Sequence, residues 1–172
     1  GGGAGAALIE SWPRDRSNLE EHLSRSPDLV KLTFDEHGWG TRPLIPLLDP
    51  ELMAEAGRFY NERGVRTTVH ISHEYRARQA IEAGINTLAH PIIQGPVSEG
   101  FVQLMASTKT PMVSTLTIGE GYSRLVEHPE FLDSPIYRAV YEPETIERLK
   151  TTVRDGYAAR AWTTWMKVMT PV

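Results

Sequence analysis

Short β-rich apolar runs and helical apolar faces take turns along this chain. Leu29 to Phe34 reads as a strand between Pro27 and Gly38. Asp49-Pro50-Glu51 opens a helix: Asp caps free N–H groups, Pro fits the first helical position and Glu complements the dipole. Leu52, Met53, Ala56, Phe59 and Tyr60 share one face, and Gly64 is expected to close the helix in the left-handed conformation. Val65 to His70 is the next strand. Glu74 to Ala83 is a helix with Ala77, Ala80 and Ile81 inward, closed by Gly84. Ile85 to Ala89 is a third strand, and Glu99 to Ser107 a helix carrying Phe101, Val102, Leu104 and Met105. Pro111 to Leu116 is a fourth strand. Asn18 to Ser24 reads as a short helix end, and Gly1 to Arg16 and Asp35 to Leu48 as loops.

The rhythm breaks after the fourth strand. Gly119 to Tyr141 is rich in Pro, Glu and aromatics and reads as an insertion. Glu142-Pro143-Glu144 then opens a last helix with Ile146, Leu149, Val153, Tyr157 and Trp162 on one side. Strict alternation of strand and helix implies parallel strands joined by right-handed crossovers. A doubly wound sheet and a (β/α)8 barrel both satisfy that order. The barrel is favoured, because polar residues fall on consecutive strand ends, where that fold builds its sites. A whole barrel takes about 250 residues. The fold class expected is therefore α/β, a partial (β/α)8 TIM barrel of about four consecutive βα units. Residues 1–172 are expected to form a single domain, an internal fragment that starts Gly1-Gly2-Gly3 without Met, with 119–141 as an insertion after the last strand. Open sheet edges in such a piece are expected to favour homo-oligomers or poor solubility.

Three strand ends carry the candidate chemistry. His70 ends Thr67-Thr68-Val69, and His90 ends Thr87-Leu88-Ala89. If their strands are parallel neighbours, both imidazoles reach one cavity, and convergent imidazoles bind divalent metals. Lys31 lies one unit earlier inside an apolar strand, where burial of its ammonium is costly unless it is paired or modified. It is either a functional residue at the rim or a strand Lys solvated at an edge. His73 reads as a solvated cap or as a substrate-facing or supporting neighbour of His70. His37 reads as an ordinary loop residue or as one that overhangs the site. His128 has nothing around it that marks a role, and the metalloprotease order His-Glu-x-x-His is absent.

Composition narrows this further. There is no cysteine, so any metal must be held by His, Asp, Glu or a modified Lys. A net charge of −4 gives no basic footprint for nucleic acid and no polybasic patch for a membrane. No run of about 20 apolar residues suggests a membrane span. A soluble protein is expected, with cytoplasm and periplasm left open.

The residues Asp28-Leu29-Val30-Lys31-Leu32, Thr68-Val69-His70 and Ala80-Ile81-Glu82-Ala83-Gly84-Ile85-Asn86-Thr87-Leu88-Ala89-His90 resemble the amidohydrolase superfamily, in its imidazolonepropionase-like and dipeptidase-like branch. The resemblance covers roughly Asp28 to Leu116. It implies a metal-dependent hydrolase of C–N bonds in amides, cyclic amides or small peptides, with one or two divalent ions, Zn2+ first among them. It also implies that the chain spans roughly strands four to seven of the barrel. Lys31, often carboxylated in that family, would bridge two metals, and His70 and His90 would bind the second. The family's His-x-His of the first strand and proton-transfer Asp of the eighth are absent from this chain. Residues 1–172 alone are therefore expected to show no turnover with added Zn2+. Metal-dependent turnover abolished by His90→Ala would refute that. Two rivals stay open: a non-catalytic metal- or ligand-binding barrel relative, and a doubly wound α/β protein with structural histidines.

Overall fold

The computed structural model describes residues 7–36, 46–115, 124–125 and 127–155. Contacts group the chain into two compact units, one reaching Ser114 and the other running from Thr115 to Pro171.

The first unit is a small parallel sheet with helices. Helix α1 (Arg16–Leu23) precedes β1 (Leu29–Thr33). Then come α2 (Pro50–Asn61), β2 (Arg66–His70), α3 (Glu74–Glu82), β3 (Thr87–Leu88) and α4 (Glu99–Thr108). The strands lie in the order β1-β2-β3, all parallel, with Lys31 opposite Thr68 and Thr33 opposite His70. This is the consecutive winding expected of successive βα units.

The helix start at Asp49 forms as expected. Its carboxylate accepts from the backbone N–H groups of Glu51 at 2.8 Å and Leu52 at 3.2 Å, with Pro50 in the first turn. Asp49→Ala should lower stability by about 1 kcal/mol, read as a drop in melting temperature with no change in fold. Gly64 (φ 76°) and Gly84 (φ 84°) are both left-handed, which favours glycine at these helix exits. Helix α2 itself stops at Asn61, earlier than Gly64 suggests, and Val65 N–H closes the exit on the Tyr60 carbonyl at 3.0 Å.

One side of the sheet is the core. Val30, Leu32, Phe34, Val69 and Leu88 bury against Met53, Ala56, Phe59 and Tyr60 of α2 and Ala77 and Ala80 of α3. The other side of β1 is open: Leu29, Lys31 and Thr33 alternate as exposed residues with buried Val30 and Leu32. Lys31 is therefore not a buried ammonium, and the desolvation argument for its being paired or modified does not hold here.

Two strands are shorter than the apolar runs suggest. Ile85 belongs to the exit from α3, where its N–H donates to the Ala80 carbonyl, so β3 is only Thr87–Leu88. The fourth strand reduces to a single parallel bridge between Leu88 and Met112. Pro111 has no N–H to give, Met112 and Val113 are 43% and 51% exposed, and Thr115 turns left-handed at φ 41°. Leu116, the end of that expected strand, lies outside the described residues.

The second unit holds a 3-10 turn (Pro129–Asp133) and helices α5 (Pro135–Val140) and α6 (Pro143–Asp155). Part of the expected insertion is thus helical. Ser134-Pro135 and Glu142-Pro143 place proline in first helical turns, which explains these starts. Leu132 and Ile146 are buried, and Lys150 Nζ donates to Asp133 Oδ1 at 2.7 Å, tying α6 to the 3-10 turn. Tyr157 and Trp162 lie outside the described residues. Among the described residues, no helix is long and apolar enough to cross a membrane.

Candidate functional site

Side chains two residues apart on a strand share a face. Lys31 pairs in register with Thr68, and Thr68 with Thr87, so one row of the sheet carries all three. His70 stands two residues beyond Thr68, on the same side and nearer the strand tips. His90 follows β3 after Ala89, whose N–H still donates to the Val69 carbonyl at 2.9 Å. This last pairing brings the chain beyond β3 back beside β2.

The three expected residues do converge. The His70 and His90 rings meet edge to face, with centroids 4.8 Å apart. Lys31 Nζ is 3.3 Å from His90 Nε2. The histidines are thus neither distant nor on opposite faces. Burial lowers the His90 pKa to about 4, and the neighbouring His70 and Lys31 push it the same way. His90 is therefore neutral at pH 7, with a nitrogen lone pair to offer.

The apolar patterns did not single out Asp35 or Ser72. Asp35 is 2% exposed, and its Oδ2 lies 3.3 Å from His70 Nε2. Ser72, fully buried, donates from Oγ to Asp35 Oδ1 at 2.8 Å and contacts His73 Nδ1 at 3.0 Å. A signal was available: Asp35 directly follows the apolar run Leu29 to Phe34, and Ser72 follows His70 by two. His73 sits at the start of α3 and does not cap it with its side chain. His37 lies outside the described residues. His128 is exposed in the second unit beside Glu130 and joins no cluster there.

The donor chemistry suits a divalent cation only in part. Two imidazoles and an amine meet at one rim, but no three of the described His, Asp and Glu residues are grouped to hold an ion. A separate cavity of about 460 Å³ runs along β1 and is lined by Leu8, Ile9, Lys31, Thr33 and Leu47 among others. Lys31 touches it, and neither His70 nor His90 does.

No protein-family model matches the sequence, and no curated protein matches it. Solved structures do. A Xaa-Pro dipeptidase with bound methionine aligns with TM-score 0.55 and 16% identity, over 90% of this chain and 34% of its own. The A. niger ochratoxinase aligns with TM-score 0.53 and 18% identity, over 88% and 31%. A prolidase complexed with N-methylphosphonate-L-proline aligns with TM-score 0.53 and 16% identity, over 87% and 34%. This chain is similar in fold to part of these hydrolases and spans about a third of their length. At 16–18% identity this likeness is one of fold.

Proposed function

We propose that this chain is a segment of an amidohydrolase-type (β/α)8 barrel, roughly strands four to seven. We propose that its parent hydrolyses C–N bonds of amides, cyclic amides or small peptides. The observation that carries this reading is the meeting of Lys31, His70 and His90 from three consecutive βα units at one rim. Small dipeptide-like substrates agree with the dipeptidase holding methionine and the prolidase holding a proline phosphonate.

In this reading His70 and His90 hold a divalent metal, Zn2+ first. When bound, such an ion lowers the pKa of its water towards neutrality and polarises a scissile carbonyl. His90 contributes a neutral imidazole at physiological pH. Lys31 stands beside it, on the open face of β1 where CO2 can reach the amine. Carboxylation would convert a cation into an anion able to bridge two ions. His73, in contact with buried Ser72, supports the site from behind rather than facing substrate. No residue of this chain is assigned the proton transfer.

A second reading, a non-catalytic metal- or ligand-binding relative, is favoured by one observation. The described His, Asp and Glu residues supply no group of three donors. Zinc titration followed by histidine ring NMR tests the metal assignment. His70 and His90 should respond first, ahead of His22, whose Nδ1 pairs with Tyr60 OH, and ahead of exposed His128. A response spread evenly over all histidines would remove the assignment.

A further inference from the structure

Asp35 lies between two anchored neighbours. Phe34 is fully buried, and its N–H donates to the His70 carbonyl at 3.0 Å. Glu36 takes a two-point contact from Arg76, Nε to Oε2 at 2.9 Å and Nη2 to Oε1 at 2.8 Å, and a third from Tyr75 OH at 2.6 Å. The carboxylate between them is therefore held in place from both sides, in a spot almost closed to water. Holding an acid there is costly unless its oxygens are satisfied.

The partners on its two oxygens set proton positions. A carboxylate only accepts hydrogen bonds. Ser72 has one hydroxyl proton, and it goes to Asp35 Oδ1. The Ser72 oxygen must then accept from His73, which places a proton on His73 Nδ1. On the other side, Asp35 Oδ2 faces His70 Nε2 at 3.3 Å. That approach does not have hydrogen-bond geometry, so the carboxylate acts on the ring through its charge, which favours the proton on Nε2. A neutral His70 protonated there has its lone pair on Nδ1.

We infer that Asp35 is a positioning residue that fixes the ring and tautomer of His70, with Ser72 and His73 aligned behind it. The role deepens the metal reading of His70 and rests on it for its purpose, though not for its geometry. A carboxylate behind a ligating imidazole both fixes the tautomer and makes the ring a better donor. Asp35 itself is not assigned as a ligand, since no described group of three joins it with both histidines.

The test is long-range 1H–15N NMR of the histidine rings in the metal-free 172-residue chain. Unaltered protein should show His70 protonated at Nε2 and His73 at Nδ1. Asp35→Asn keeps the shape but removes the negative charge that faces His70. It should shift His70 to a mixture or to the other tautomer, and weaken zinc binding about 10–100-fold. Ser72→Ala should free His73 from Nδ1–H and leave His70 as it was. A His70 protonated at Nδ1 in the unaltered chain would overturn the role, and so would Asp35→Asn with unchanged tautomer and zinc affinity. Should Asp35→Asn not fold, the unaltered chain and Ser72→Ala still decide. Zinc titration of the unaltered chain tests the metal reading separately, because the metal-free tautomer is read whether or not zinc binds.

Discussion

Lowering the pH from 6.5 to 4 should destabilise this chain by about 2 kcal/mol through His90 alone. The ordinary His value is 6.5, and His90 is brought down to about 4 by burial first and by His70 and Lys31 second. In that window the unfolded chain binds a proton that the folded chain refuses. Stability therefore rises with pH between 4 and 6.5, is fully present above 6.5, and is lost as pH falls towards 4. The full difference corresponds to about 3 kcal/mol. Partial access of water to the ring trims it to about 2. Urea midpoints at pH 7, 6, 5 and 4 would show the slope, and His90→Gln should flatten it. An identical slope in His90→Gln would mean that the acid sensitivity comes from elsewhere. The same cause makes His90 a good ligand at neutral pH, since protons compete with a metal there only weakly. Stability in acid is thus given up at the position that serves the proposed site.

How far such a site can be read from sequence depends on which forces act locally. The start of α2 was legible because Asp49, Pro50 and Glu51 act within one turn and need no partner from elsewhere. Gly84 was legible for the same reason, as only backbone freedom is at stake. The nearness of His70 and His90 was legible in the parallel order of consecutive strands, but not in the two-residue period: His90 stands three residues beyond Thr87 and reaches His70 because β3 ends at Leu88. The lengths of β3 and of the expected fourth strand were not. An apolar run says that a segment can pair, and the neighbouring backbone decides how much of it does. Pro111 to Val113 makes one bridge and then turns away at Thr115. For Lys31 a rim role and solvation at an edge both stayed open, because alternation along β1 does not say which face is covered. Asp35 was passed over because its meaning lies in Ser72 and His70, more than thirty residues away.

Removing the Arg76 side chain should cost about 2 kcal/mol and also change the response to acid in a lower pH window. The Arg76 and Glu36 side chains are 14% and 17% exposed, and the guanidinium lies between the Phe34 ring at 5.1 Å and the Tyr75 ring at 4.9 Å. Arg76 first, and Tyr75 after it against opposing burial, hold Glu36 at about 2 instead of 4.5. A depressed carboxyl stabilises the fold above its unfolded value, and that stability is lost as pH falls from 4.5 through 2. The full difference corresponds to about 3 kcal/mol. Water reaching the pair reduces it to about 2. Arg76→Met keeps bulk over the Phe34 ring while removing the charge. It should lower the urea midpoint at pH 7 and make the acid limb below pH 4.5 shallower, leaving the His90 limb above pH 4 in place. A double-mutant cycle with Glu36→Gln should recover most of the loss as coupling between the two residues. Coupling near zero would mean that Arg76 acts only by packing on Phe34 and Tyr75. Because Glu36 adjoins Asp35, the same variant should also loosen the carboxylate that faces His70. In Arg76→Met the His70 tautomer should therefore become mixed, though less so than in Asp35→Asn.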